Sequence, residues 1–367
     1  MQSPMMGILH HLIKICFVQN VNKQNILYHG ENDWLADGQW HYYTAVFTPT
    51  TAKVYIDGEI ANEWEIDGTN NTAAGLFSNG SELQYICLGG NQAWNWGDND
   101  PGFWFDDIAI YNQELSKAQI KAIMGLKTNV AYGNTFSNDA DNMTLKGAGT
   151  FVNDETPGFG KIFQNAAGGL RENYLVFPSG ALSKVGETKE MTINVWLNAS
   201  NAGASNTYMW SPVMTGYAEA PGGNGCPMFA CQYRGALMIN SNGPDNSGDN
   251  WCDYTDAQNV AGTNQILHDA TDWLVDHKWH LYTAVFTPNS AFVYFDGELI
   301  NEWAIDGESR GQQCDLETLS KLGYVCLGGN QAWGWGDPDP GFGFDDIMVY
   351  NKALSQAEIK QIMNFKK

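Results

Sequence analysis

Basic residues are scarce in this chain of 367 residues: 19 Lys and Arg stand against 41 Asp and Glu, a formal charge of −22 at pH 7. A surface with that balance repels a phosphate backbone or an anionic membrane, so nucleic acid is excluded as a partner. Charge of either sign is thin, at 16% against roughly 25% in an average soluble domain. Long apolar runs are missing as well. Nothing approaches the roughly 20 residues of a membrane helix, and the most apolar early stretch, Gly7 to Val18, is interrupted by His10, His11 and Lys14. That stretch has neither the preceding basic segment nor the small-residue cleavage site of a signal peptide. Cysteine is limited to Cys16, Cys87, Cys226, Cys231, Cys252, Cys314 and Cys326, an odd count, so disulfides do not set the fold as they do in a small secreted scaffold. Glycine, at 40 residues, and aromatics, at 13% with 14 Trp, are plentiful instead. Such a composition suits a turn-rich β-protein with an Asn/Ser/Thr surface, and its apolar content excludes disorder.

The chain is an internal duplication. Residues Trp34 to Met124 align without a gap to Trp273 to Met363 at an offset of 239, and roughly 55 of the 91 positions are identical. The segments 69–82 and 308–321 keep their length but almost none of their sequence, as exposed loops do. Ser3-Pro4-Met5-Met6 echoes Ser211-Pro212-Val213-Met214 at an offset of 208, so copy two carries about 31 extra residues after that point. Residues from about Thr128 to Met209 have no upstream counterpart, which gives the expectation that copy one, 1–127, is an N-terminally incomplete module and copy two, 128–367, a complete one. The short connection from Gly125 to Asn129 predicts two modules in contact.

Local patterns are those of strands. In HYYTAVF, Tyr43, Ala45 and Phe47 alternate with Tyr42, Thr44 and Val46, and Asp57-Gly58, repeated as Asp296-Gly297, is a two-residue hairpin signal. Apolar residues on both strand faces predict cover on both sides, as in a sandwich. Helical pattern closes each copy: Ser116 with Gln119, and Ser355 with Glu358, form capping boxes, and Gly125 is expected to stop the first helix.

The order W-H-x(3)-A-V-F at Trp279, V-Y-F-D-G-E at Val293, L-G-G-N at Leu327 and F-D-D-I-M-V-Y-N at Phe344, closing in A-L-S-x-x-E-I, resembles the laminin-G-like jelly-roll modules of the concanavalin A-like lectin/glucanase superfamily. Copy two also has the opening expected of that family, Val130 to Phe136 and then EMTINVWLNAS from Glu190. The resemblance implies an all-β fold of antiparallel two-sheet jelly-roll sandwiches, each with a short C-terminal helix. It does not fix function, because the superfamily spans lectins, adhesion modules and glycosidases.

Hydrolysis by the laminarinase-like members needs E-x-D-x-x-E or E-x-D-x-E on one strand, placing two carboxylates on one side of the bond. Here Glu65-Ile66-Asp67 lacks the last acid and Asp306-Gly307-Glu308 lacks the first. His41 and His280 follow Trp in both copies, but no nucleophile motif accompanies them, so each is read as a packed, hydrogen-bonded residue. The loop after L-G-G-N carries Asn91, Gln92, Trp94 and Trp96 in copy one and Asn330, Gln331, Trp333 and Trp335 in copy two. Trp faces stack on sugar rings and amides bind paired hydroxyls, which makes this loop the candidate glycan site; closing the end of the sandwich explains the same Trp residues equally well.

Asp139, Asp141, Asp337, Asp339, Asp345 and Asp346 offer hard oxygen ligands suited to Ca²⁺, the one cofactor expected, provided the first and last strands are neighbours. Cys87 and Cys326 read as buried small residues, and one disulfide pairing Cys226 or Cys231 with Cys252 is expected in an oxidising compartment. The function expected is a non-catalytic, lectin-like protein of the extracellular space or cell surface, with a polysaccharide or glycoprotein glycan as partner. A glycoside hydrolase and a structural or adhesion module binding protein are the alternatives.

Overall fold

The computed structural model describes residues 39–66, 88, 105, 108–168, 172–198, 212–217, 229–232, 237–240, 251–254, 276–304, 316–329, 339 and 341–366. The chain divides into two compact units, Met1–Thr128 and Asn129–Lys367.

The described strands of the first unit form an antiparallel meander of β1 (Tyr43–Phe47), β2 (Thr51–Ile56) and β3 (Glu59–Glu65). Asp57 and Gly58 both have positive φ, 50° and 72°, the type I′ geometry that their spacing predicts. The Asp57 carboxylate fixes the turn from outside, accepting the Tyr42 N–H at 2.9 Å and meeting His41 Nδ1 at 2.7 Å. Helix α1 (Lys117–Thr128) follows, with Ile120, Ile123 and Leu126 buried and its predicted capping box in place between Ser116 and Gln119. Gly125 does not end this helix, contrary to the sequence expectation. Burial of Leu126 carries the helix one turn further, outweighing a glycine cost of about 1 kcal/mol.

The second unit runs β4 (Val130–Asn134), β5 (Thr144–Lys146), β6 (Thr150–Asn153), β7 (Lys161–Gln164), β8 (Tyr174–Val176), α2 (Val185–Thr188), β9 (Met191–Asn198), β10 (Pro212–Tyr217), β11 (Phe229–Gln232), β12 (Leu237–Asn240), β13 (Trp251–Tyr254), β14 (His280–Phe286), β15 (Ser290–Phe295), β16 (Glu298–Ala304), α3 (Leu316–Leu319), β17 (Tyr324–Leu327), β18 (Gly343–Tyr350) and α4 (Gln356–Lys366). These strands make two antiparallel sheets. One has seven strands in the order β13-β12-β11-β10-β17-β8-β5; the other has eight, β16-β15-β14-β9-β18-β7-β6 with β4 also on β18. The expected two-sheet sandwich is therefore present. Its core lies between the sheets, where alternate residues of β9 (Met191, Ile193, Val195, Leu197) meet Tyr282, Ala284 and Phe286 of β14 and Val325 and Leu327 of β17.

The opposite face of the eight-stranded sheet is also covered, which is why β9 and β14 are apolar on both sides. Helix α4 is tied across it. Thr192 Oγ1 donates to the Lys352 carbonyl at 2.6 Å and accepts from Leu354 N–H at 3.0 Å, and Gln356 Nε2 donates to the Gly297 carbonyl at 2.8 Å. At the far end Lys366 reaches β18. Eleven helical residues span about 16 Å, close to the roughly 14 Å of three strand spacings from β15 to β18. The turn Asp296-Gly297 repeats Asp57-Gly58 in φ, 49° and 75°, and in its contacts with His280 at 2.8 Å and Leu281 N–H at 2.9 Å. The histidine of the W-H pair thus braces a hairpin in both copies. Burial pulls the His280 pKa down, but hydrogen bonds to Asp296 and Asp276 outweigh it and hold the pKa above its usual value.

Candidate functional site

The recognition loop predicted from sequence is anchored at both ends. Its entry, Leu327-Gly328-Gly329, puts both glycines in the left-handed region at φ 71° and 72°. A side chain at 328 would press on the Asn165 amide and the Phe344 ring, each 3.1 Å from its Cβ, so glycine is required there. Gly328 N–H donates to the Val213 carbonyl of β10 at 2.9 Å. The exit is Asp339. This carboxylate is fully buried; its Oδ2 accepts the backbone N–H groups of Glu172 and Asn173 at 2.8 and 2.9 Å, and its carbonyl accepts Gly168 N–H at 3.2 Å. Asp339, expected among the metal ligands, is therefore a loop anchor. Asn330, Gln331, Trp333, Trp335 and Asp337 lie outside the described residues, as do Asn91, Gln92, Trp94 and Trp96.

Next to Gly328, where β17 ends, the seven-stranded sheet turns a tyrosine-bearing face away from the core. Register places Cys326 opposite Val176 and Leu327 opposite Leu175. Tyr174 and Tyr324 each lie two residues from that first pair, on the same face and roughly 13 Å apart along the strands. Their hydroxyls nevertheless meet at 3.3 Å, so the two rings lean toward each other over Cys326 and Val176. Both are half-buried. Burial, and then the Tyr324 hydroxyl, raise the Tyr174 pKa, so that phenol keeps its proton at neutral pH. Tyr217 and Thr215 of β10, opposite Tyr324 and Cys326, are buried, so the accessible part of this face is the Tyr174–Tyr324 pair with Thr144 and Lys146 of β5 bordering it as exposed residues. Sequence reasoning passed over these tyrosines, although Tyr324 recurs as Tyr85 immediately before the I/V-C-L-G-G-N run.

Of the acidic residues expected to bind Ca²⁺, Asp139, Asp339, Asp345 and Asp346 take other partners. First and last strands are indeed neighbours, with Asn134 of β4 opposite Ile347 of β18. Asp139 pairs with Lys161 at 2.8 Å, and Asp141 is exposed. Asp345 and Asp346 sit where the β18–β9 register shifts, and both carboxylates converge on Lys366 Nζ, at 2.5 and 2.7 Å. That ammonium lies 4.6 Å over the Phe159 ring, which stacks on Trp279 at 4.5 Å and meets Trp196 edge-on at 5.2 Å. Burial, and next the Asp346 charge, push Asp345 up to about 7. A calcium ion needs six to eight oxygens. Among the described residues no group of three or more His, Cys, Asp or Glu side chains is arranged to hold a metal, and the cation at the Asp345–Asp346 pair is a lysine. The described members of this set do not fit a bound Ca²⁺.

One of the two expected disulfide pairings is corrected. Cys231 is a free, fully buried thiol of β11, and β12 lies between it and Cys252 of β13. Two strand spacings, about 10 Å, exceed the reach of a disulfide. Cys226 lies outside the described residues. Of the acids considered for hydrolysis, Glu65 is exposed at the end of β3, and Asp67, Asp306 and Glu308 lie outside the described residues.

A search of curated proteins found no match. Among solved structures, domain 4 of an extracellular GH43 arabinanase from Geobacillus stearothermophilus, in complex with arabinotriose, is similar at 14% identity and a TM-score of 0.43, covering 64% of this chain and 98% of that one. The binding domain of Paraclostridial Mosquitocidal Protein 1 is 12% identical, with a TM-score of 0.39 over 65% of this chain and 52% of the other. Botulinum neurotoxin type C, in a structure concerned with its interaction with two ganglioside molecules, is 11% identical, with a TM-score of 0.41 over 67% and 53%. The chain spans about half the length of these two toxin chains. A sequence model of the concanavalin A-like lectin/glucanases superfamily matches residues 14–121 and 168–360, which together are most of the chain. With the two-sheet sandwich and the anchored L-G-G-N loop in place, the chain belongs to the concanavalin A-like lectin/glucanase superfamily.

Proposed function

We propose that the chain is a non-catalytic carbohydrate-binding protein of the extracellular space or cell surface, and that a polysaccharide or glycoprotein glycan lies on the outer face of the seven-stranded sheet beside loop 330–338. The observation that carries this reading is the Tyr174–Tyr324 pair, two half-buried rings leaning together over the sheet with hydroxyls 3.3 Å apart. Such rings offer an apolar surface to the C–H face of a pyranose and polar tips to its hydroxyls. The neighbouring loop, held by Gly328 and Asp339, brings Asn330, Gln331, Trp333 and Trp335 in sequence, the residue types that complete a sugar site.

The test is a glycan-array screen of the full chain, followed by affinities for Trp335→Ala and Tyr324→Ala. Each substitution is expected to weaken binding of the hit at least tenfold while the melting temperature holds. A blank array from a folded sample overturns the reading and favours a protein-binding adhesion module. A Trp335→Ala variant that binds normally removes the loop from the site.

A further inference from the structure

Because Met191, Ile193, Val195 and Leu197 of β9 fill the core, Thr192, Asn194 and Trp196 lie on the opposite face, the one that helix α4 crosses. Thr192 is served there by the helix entry, giving one hydrogen bond to the Lys352 carbonyl and taking one from Leu354 N–H. Asn194, the next residue on that face, has no such arrangement. It is 1% exposed, and neither its Nδ2 nor its Oδ1 has a hydrogen-bond partner among the described residues. Thr283 of β14 stands directly opposite, is 0% exposed, and its Oγ1 is likewise unpartnered.

The backbone around these groups is already engaged. β9 is paired along both edges, by β14 and by β18. Helix α4 uses its N–H and C=O groups internally, and Ser355 and Glu358 close its first turn. On the β18 side Asn194 faces Met348, whose sulfur is turned to Gly133, 2.6 Å from where a Cβ would stand. Next to it β18 bulges: Asp346 and Ile347 stand against the single residue Val195, Asp346 takes a φ of 45°, and its N–H is held by Asp345 Oδ1 at 2.9 Å. Three buried polar atoms thus collect at one place with neither helix nor sheet to satisfy them. Opposed Cβ atoms lie about 5 Å apart, so the amide and the hydroxyl are neighbours without being bonded, the separation that a water molecule spans. Buried amide and hydroxyl groups without protein partners are held in folded proteins by ordered water, which takes about three hydrogen bonds from such a site.

We propose that Asn194 and Thr283 form an internal hydration site under α4, in which ordered water bridges the side-chain amide to the hydroxyl. That water is part of the contact between helix and sheet, alongside the Thr192 hydrogen bonds.

The experiment is a crystal structure of the full chain at a resolution that shows ordered water, with matching structures of Thr283→Val and Thr283→Ser. Water within about 3.2 Å of both Thr283 Oγ1 and an Asn194 amide atom is expected in the wild type. Serine keeps the hydroxyl and is expected to keep the water. Valine keeps the shape but removes one of its holders, and is expected to lose the water and to lower the melting temperature by about 2–6 °C. A dry site in the wild type or a direct Asn194–Thr283 hydrogen bond overturns the proposal. So does a Thr283→Val melt at or above that of the wild type, because that is the relief of a hydroxyl that had no partner.

Discussion

Replacing Lys366 by Met tests what holds the C-terminal helix on its sheet. The ammonium is 12% exposed and serves two carboxylates, Asp345 at 2% and Asp346 at 29% exposure. Removing one partner of a buried ion pair costs about 3–5 kcal/mol, because the charge left behind has lost both water and countercharge. For a unit of this size each kcal/mol moves the melting temperature by roughly 2–4 °C, so the expected loss at pH 8 is about 10 °C. The penalty depends on pH with a definite sign. The folded-state pKa of Asp345 is raised to about 7 from an ordinary carboxylate value near 4, so between those limits the folded protein binds the extra proton and its stability falls as pH rises. Without Lys366 the pKa climbs further and the falling region extends to higher pH. The gap between wild type and Lys366→Met is therefore widest at pH 8 and shrinks to about 3 °C at pH 5, where Asp345 is protonated. Lys366→Arg retains most of the stability, and in an Asp345→Asn background the pH dependence of the gap disappears. Lys321→Met, which removes an exposed pair with Glu317, is the surface control and shifts the melt by less than about 1 kcal/mol. Melts by circular dichroism from pH 5 to 8 decide the matter. A gap that is equal at both ends, or below 2 °C at pH 8, refutes the reasoning.

Three further outcomes follow from named contacts. Thr192→Val removes two hydrogen bonds that tie the start of α4 to β9, a loss of about 2 kcal/mol read as faster amide exchange at Leu354 and a lower melt. Burial pushes the Cys231 and Cys326 thiols up, so iodoacetamide at pH 8 leaves both unmodified in the native protein and alkylates them after unfolding, as peptide mass spectrometry reads directly. Because Lys366 occupies the Asp345–Asp346 pair, 5 mM CaCl₂ and 5 mM EDTA are expected to give melts of the second unit within about 1 °C of each other; a calcium-dependent rise contradicts the site geometry.

How much of this was legible in the sequence depends on the range of the interactions involved. The hairpins, the capping boxes and the braced histidine are local devices, each written within 16 residues, and all were readable from D-G, S-x-x-Q/E and W-H. Gly125 misled because local propensity was outweighed by burial of Leu126, a tertiary effect. The partners of the acidic residues were hidden for a related reason. A pattern of carboxylates carries no sign of which cation meets them, and Lys366 lies 20 residues downstream of Asp346 with no motif linking the two. Asp339 is similar, since its partners Glu172 and Asn173 are more than 160 residues away. The tyrosine face was hidden by register. Tyr174 and Tyr324 meet only because β8 and β17, 150 residues apart in sequence, are neighbours in one sheet.

The duplication also separates what a residue is from where it sits. Tyr43 and Tyr282 occupy the same position in nearly the same heptapeptide, yet Tyr282 is fully buried in the sandwich core and Tyr43 is more than half exposed. Local sequence energetics, the strand propensity and the pairing with β2 or β15, are common to both, so any difference on truncation reports tertiary surroundings alone. Tyr282→Ala opens a cavity beside Cys231 and Phe295 and is expected to cost about 3–5 kcal/mol, the range for removing a buried aromatic ring. Tyr43→Ala removes a ring that water already reaches and is expected to cost less than about 1 kcal/mol. Denaturant unfolding of the two variants measures both. Equal losses would mean that Tyr43 is buried in solution. A large difference shows that the surroundings of the ring, and not the heptapeptide it belongs to, decide what it contributes to stability.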